Sequence, residues 1–247
     1  GASQFLDEAT IGEASLTNSG TIAAVSSASA TGNIAIAEAS AIGYEAELED
    51  LGAATAFLRN KSAGGIWAFA EATADGVDYT AANAEAVGVS VNGYYDLGSF
   101  DIDAVNKGLI AASAVATATG NGVAEGAEAY ATGVSLDASD LLSGSFKNGS
   151  SGVIAANAMA TSANGFARAV GIEAESDANG MLITNKGLIA AYAEGGGATA
   201  TGILIDGGMV PVITTIGPPP APAPMAVATI ENHGDIWAGI STDGGDT

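Results

Sequence analysis

The sequence predicts an all-β chain, a right-handed parallel β-solenoid (β-helix) of about six degenerate repeats. Three observations predict it: a recurring asparagine anchor, alanine at every second position after each anchor, and glycine punctuating every repeat. The anchor reads Asn, then Gly a few positions on, then a small or apolar residue, Ile and Ala. It occurs as Asn18-Ser-Gly-Thr-Ile-Ala, Asn106-Lys-Gly-Leu-Ile-Ala, Asn185-Lys-Gly-Leu-Ile-Ala and Asn232-His-Gly-Asp-Ile-Trp-Ala. Looser copies begin at Asn60 and Asn148, so successive anchors are separated by 42, 46, 42, 37 and 47 residues. A phrase that persists while its interval varies describes one unit with loops of different length.

After the anchor comes the first strand of the unit. Ala occupies alternate positions, as in Ile110, Ala112, Ala114, Ala116 and Ala118, or Ile66, Ala68, Ala70, Ala72 and Ala74. A period of two is a strand signature, and Thr, Ser, Val and aromatics at the intervening positions suit a solvent-facing strand surface. Alanine's helix propensity is overridden, because its spacing never settles to three or four and β-branched residues fill the alternate sites. The second strand reads Ala-x-Ala-x-Gly-(Ile/Val), beginning at Ala84, Ala129, Ala167 and Ala198, with Ala39-Ser-Ala-Ile-Gly-Tyr in the first unit. The fixed phase of its Gly predicts a bulge or bend. A shorter third strand leads into the next anchor, as in Leu142-Ser-Gly-Ser-Phe-Lys before Asn148 and Met181-Leu-Ile-Thr before Asn185.

Three strands per unit make one triangular coil, with equivalent strands about 4.8 Å apart. Two short coils per unit are the rival arrangement. Facing alanines predict a narrow core, with Ile in the wider corners. The expectation is a single domain over residues 1–247, interrupted by Gly217-Pro-Pro-Pro-Ala-Pro-Ala-Pro224, which cannot pair in a sheet and is expected to project as a polyproline loop.

Composition narrows the function classes. With 28 acidic against 6 basic residues the net charge is −22, which opposes nucleic-acid binding and anionic membrane surfaces. Cysteine is absent, removing disulfides and thiolate metal sites. No run of eighteen apolar residues and no basic N-terminal region before an apolar run is present, so neither a membrane span nor a signal peptide is visible.

On phrases such as Ile183-Thr-Asn-Lys-Gly-Leu-Ile-Ala-Ala, nearly the whole chain resembles β-helical passenger regions of bacterial autotransporters and related repeat-rich surface adhesins. The resemblance implies a secreted right-handed β-helix displayed at the outer membrane, hence an extracellular or cell-surface location. No segment resembles that family's C-terminal membrane barrel, so self-export is not implied.

The six anchors (Asn18, Asn60, Asn106, Asn148, Asn185, Asn232) are expected to stack as an internal amide ladder. Arg59, Lys61, Lys107, Lys147, Lys186 and His233 flank these anchors, and in a stack of equivalent positions they form a basic ridge on an acidic rod. Catalytic residues are not predicted: with one His, two Arg and no Cys, little is left for nucleophilic or general-base chemistry. No metal site or cofactor is predicted, since Glu47-Leu-Glu-Asp50 and Asp243-Gly-Gly-Asp-Thr lack the Gly/Asp repeat of calcium rolls. Any Ca²⁺ binding by so acidic a surface would be weak. The Thr pairs 117/119 and 199/201 occur in two units, which is too few for an array.

The expected role is structural: a stalk, scaffold or adhesin segment that meets a host or bacterial surface ligand. The alternative is a self-associating matrix or filament protein joined through its solenoid ends. A polysaccharide-active β-helix enzyme ranks below both.

Overall fold

Alternation of small inward residues with β-branched or polar outward ones leaves strand as the one conformation that separates the two sets. The computed structural model describes residues 1–6, 12–49, 53–94, 100–120, 125–138, 142–176, 181–206, 211–214 and 228–241, and all regular secondary structure among them is β-strand. In chain order the strands are β1 (Ala2–Leu6), β2 (Gly12–Asn18), β3 (Thr21–Glu49), β4 (Ala54–Asn60), β5 (Gly65–Tyr94), β6 (Phe100–Asn106), β7 (Leu109–Gly120), β8 (Glu125–Ala138) and β9 (Leu142–Asn148). They continue as β10 (Val153–Thr161), β11 (Phe166–Ser176), β12 (Met181–Asn185), β13 (Leu188–Glu194), β14 (Thr199–Asp206), β15 (Pro211–Thr214), β16 (Ala228–Asn232) and β17 (Asp235–Ser241).

Every pairing is parallel, and each strand pairs with its counterpart in the neighbouring repeat, except that β15 lies on β16 of its own repeat. The result is a solenoid-like set of three stacks. The first holds the leading half of β3, the leading half of β5, and β7, β10, β13 and β17. The second holds β1, the trailing halves of β3 and β5, and β8, β11 and β14. These two belong to one sheet because β3 and β5 run through both; the third stack is a separate sheet in the order β15-β16-β12-β9-β6-β4-β2. One repeat therefore adds one level to each stack, and the register leaves no room for two coils per repeat.

Two cores of different thickness lie between the stacks. The first- and second-stack strands face each other through alanine alone, including Ala70, Ala72, Ala114, Ala116, Ala84, Ala129 and Ala167, all fully buried. Side chains this short bring the strands closer than the ~10 Å usual between sheets. The second core lies where the second stack continues past its Gly to meet the third stack. It is filled by Leu48, Val89, Phe100, Ile102, Leu136, Phe146, Ile172 and Ile183, with Ile66, Ile110, Ile154 and Ile189, each the second residue of its first-stack strand. The narrow alanine core thus widens on one side into an ordinary aliphatic one.

The glycine of Ala-x-Ala-x-Gly is the hinge between these cores. Before it the inward residues are Ala39 and Ala41; after it they are Tyr44, Ala46 and Leu48, so the inward phase slips by one residue. The pairing offset is the same on both sides, with Ile42 opposite Val87 and Tyr44 opposite Val89. The feature is a bend without a bulge. Its cause is crowding: a Cβ on Gly88 would lie 2.6 Å from Gly133 O and 2.9 Å from Ile110 Cγ2, and Gly43, Gly133 and Gly171 repeat the arrangement. The Ile at the second position of the next first-stack strand, Ile66, Ile110, Ile154 or Ile189, packs directly on this bare backbone.

Residues 217–224 lie outside the described residues. Pro211, upstream of them, opens an edge strand, the position a sheet tolerates for proline.

Replacing Ala114 by Leu should cost about 1–3 kcal/mol by overpacking the alanine core, and Thr117→Leu on the outer face much less. Denaturant melts compare the two; the reverse ranking would contradict the assignment of faces.

Candidate functional site: the asparagine corner and the outer groove

Asn is the last residue of every third-stack strand except the short β15, and its side chain points into the stack. Each Nδ2 donates to the Oδ1 of the next anchor, from Asn18 through Asn60, Asn106, Asn148 and Asn185 to Asn232, at 3.0, 2.9, 2.9, 2.9 and 2.8 Å. The second Nδ2 hydrogen goes to a backbone carbonyl opening the next first-stack strand, such as Leu109 O at 3.0 Å from Asn60 and Leu188 O at 3.1 Å from Asn148. Oδ1 also accepts from a turn amide, as from Gly108 N to Asn106 at 3.2 Å and Gly187 N to Asn185 at 3.2 Å. The interior amides, at most 1% exposed, have no hydrogen left over for a ligand. Their chemistry is structural.

The ladder dictates what stands beside it. The residue just before each first-stack strand is Gly in all six repeats: Gly20, Gly64, Gly108, Gly152, Gly187 and Gly234. A Cβ on Gly64 would lie 2.2 Å from Asn60 Oδ1, one on Gly108 2.1 Å from Gly64 O, and one on Gly187 2.1 Å from Gly152 O. These glycines are needed for close approach of backbone to backbone.

The residue after the anchor continues the ladder outside. Lys61 N donates to Asn18 O, Lys107 N to Asn60 O, Gly149 N to Asn106 O, Lys186 N to Asn148 O and His233 N to Asn185 O, all within 2.7–2.8 Å. Lys61, Lys107, Lys186 and His233 thus share one exposed column, broken by Gly149. Arg59 and Lys147 share the column on the other side of the anchors, with Thr17, Val105, Thr184 and Glu231. Arg59 pairs with Asp103 on the neighbouring strand, so its charge is locally balanced. The six residues lie along one corner, as two columns rather than one.

A second surface escaped the sequence reading. Where the second stack bends at its glycines, the outer face is concave, and a groove follows the bend past Asn83, Glu85, Tyr130, Ser135, Arg168 and Glu173. Arg168 reaches across the bend to Glu173, with Nη1 to Oε2 at 3.3 Å. Tyr130 donates to Glu128 at 3.0 Å and lies 5.8 Å from Phe166, ring centre to ring centre. Burial and the Glu128 hydrogen bond raise the Tyr130 pKa, while burial and the nearby Glu173 raise that of Asp137. The groove offers carboxylate acceptors and ring edges to a polar ligand. Glu85, Tyr130 and Arg168 occupy the first variable position of Ala-x-Ala-x-Gly, and their difference in type left no pattern in the sequence.

Thr hydroxyls extend further than two units: Ser29, Thr73, Thr117 and Thr161 form one column, and Thr31, Asp75 and Thr119 another. Asp50 and residues 243–247 lie outside the described residues. Among the described residues no group of three His, Asp or Glu side chains is placed to hold a metal ion.

Asn106→Ala should cost about 1–3 kcal/mol for each buried partner left unpaired on Asn60 and Asn148, whereas the exposed Asn232→Ala should cost less than half as much. Gly108→Ala should likewise destabilise by at least about 1–3 kcal/mol and Gly20→Ala, whose Cβ would meet nothing within 4 Å, hardly at all. Thermal melts test both pairs. Because the folded state raises the Asp137 pKa, its charged form opposes folding above that pKa and the penalty disappears below the ordinary carboxylate range. Asp137→Asn should therefore raise Tm at pH 7 and leave it unchanged near pH 3; a gain that persists at pH 3 would contradict the assignment.

Comparison with known proteins finds no matching family model, no matching curated protein and no matching solved structure.

Proposed function

We propose that the chain is a right-handed β-solenoid acting as a structural segment, a stalk or scaffold with adhesin character, of a secreted or surface-displayed bacterial protein. The observation that carries this reading is the uninterrupted amide ladder from Asn18 to Asn232. It ties every repeat to the next by the same bonds along one axis, so length is gained level by level, as in other repeat proteins. Such a rod presents its outer columns at regular intervals. The exposed lysine corner and the carboxylate-rich groove are two faces of opposite character, available to different surface ligands. The resemblance of the repeats to β-helical passenger regions supports the location, and the absence of Cys suits a chain exported unfolded.

The test is accessibility on intact source cells. Antibodies raised against the 247-residue chain should label unpermeabilised cells, and external protease should remove the signal. Labelling that appears only after permeabilisation would overturn the surface assignment. For adhesion, beads coated with the chain should bind host cells or bacterial surfaces, and binding should fall when Lys61, Lys107 and Lys186 are all replaced by Gln. Unchanged binding by that variant would remove the lysine corner from the interaction.

A further inference from the structure

We propose that the lysine corner binds a linear acidic polysaccharide, one bearing carboxylate or sulfate groups, laid along the axis of the stack. This deepens the surface reading above by naming the ligand class of the corner, and it is tested without cells so that either reading can fail alone.

The first observation is a segregation of charge. Within two residues of the six anchors lie five of the chain's six Lys and Arg residues and one of its 28 acidic residues, Glu231. Lysines that served only to offset carboxylates would stand among them. Instead Lys61, Lys107, Lys147 and Lys186 are exposed and form no ion pair among the described residues, whereas Arg59 and Arg168 each hold a carboxylate. Lys61 and Lys107 follow equivalent anchors on adjacent levels, about 4.8 Å apart along the stack. Like charges side by side on neighbouring strands oppose folding. A polyanion laid over the column removes that repulsion.

The second observation is the shape of the corner. Between the two basic columns lies a hollow of about 470 Å³ lined by Thr17, Arg59, Asn60, Lys61, Val105 and Lys107. Arg59 is paired with Asp103, so Lys61 and Lys107 supply the uncompensated charge. A second hollow, of about 400 Å³, lies further along the corner, where Ser150, Ser151, Lys186 and His233 meet the glycine turns; Asp235 borders it. Both hollows combine ammonium groups and hydroxyls with aliphatic surface from lysine stems and valine. That combination fits the acidic substituent, hydroxyls and C–H faces of a sugar. The Asn60 amide takes no part, because both its hydrogens are committed within the ladder.

Spacing and width select the polymer. One level of the stack is close to the length of one pyranose residue, so Lys61 and Lys107 meet successive sugars and Lys186, two levels further, meets the next but one. Same-side groups of an extended peptide recur roughly every 6.8 Å, and phosphates of a nucleic-acid strand roughly every 3.4 Å. Neither keeps step with the levels. A membrane is wider than the corner and meets the acidic faces beside it, with Asp101 exposed on the third stack and Glu71 on the first. A single polysaccharide chain stays on the ridge, and carboxylates more than about 8 Å from it are largely screened at physiological salt.

Fluorescence anisotropy of labelled polygalacturonate and dextran sulfate, titrated with the 247-residue chain, tests this. At 0.05 M NaCl one or both should bind, with affinity falling at least about tenfold by 0.3 M, and neutral dextran should not bind. Replacing Lys61, Lys107 and Lys186 together by Gln should weaken binding about tenfold, while Arg at the same three positions should keep it within about twofold; circular dichroism melts check that both variants fold. Failure of both acidic polysaccharides to bind, or undiminished binding by the folded Gln variant, would overturn the proposal. So would dextran binding as tightly as the charged polymers, or tighter binding of poly(dT), polyglutamate or phosphatidylglycerol vesicles. None of these outcomes bears on whether intact cells display the chain.

Discussion

The structure depends on how closely one level of backbone can lie on the next at the asparagine corner. From Gly64 onward, the turn after each anchor brings either the anchor Oδ1 or the carbonyl of the preceding level's glycine within 2.1–2.2 Å of where a Cβ would be, so the turn residue must lack one. Given that approach, a single Asn per level satisfies the corner: two donated hydrogens and an acceptor shared between a neighbouring amide and a turn N–H. Buried amides are costly unless every hydrogen is placed, and here the repeat places them. No buried side-chain polar atom among the described residues lacks a partner.

The rest follows from that corner. The Ile at the second position of the first-stack strand, four or six residues beyond its anchor, enters the core at a fixed height, and the second-stack glycine of the preceding level is bare where its methyl groups rest, as Gly43 is against Ile66. Beyond that contact the chain runs out and back through the alanine core. There the small side chains hold two strands together without filling a cavity. The charge of the surface is set by what remains outside: lysines beside the corner, carboxylates along the outer groove. A rod built this way gains length without redesign, which is why the proposed function is structural.

Much of this was legible in the sequence because the repeat writes the same residue at the same structural position. The anchor spacing gave the levels, the alternate alanines gave the inward face, and the choice between one coil and two was settled by pairings such as Asn60 with Asn106. The bend at Gly43 and Gly88 was visible as a punctuation mark, but its cause was not. Crowding by a carbonyl one level away is a contact across some 40 residues and leaves no local pattern. The outer groove was illegible for a related reason: Glu85, Tyr130 and Arg168 differ in type, and only the register shows that they share a column. The Thr columns were missed because Ser29, Thr73 and Thr161 were not aligned with Thr117.

The central claim is that the anchor amides form one continuous buried ladder, and side-chain amide hydrogen exchange measures it most directly. In a sample labelled with ¹⁵N-asparagine, the Nδ2 hydrogens of Asn60, Asn106, Asn148 and Asn185 should exchange only through global unfolding, and that of Asn232 far faster. Exchange of all the anchor amides at the rate of a solvent-exposed asparagine would contradict it.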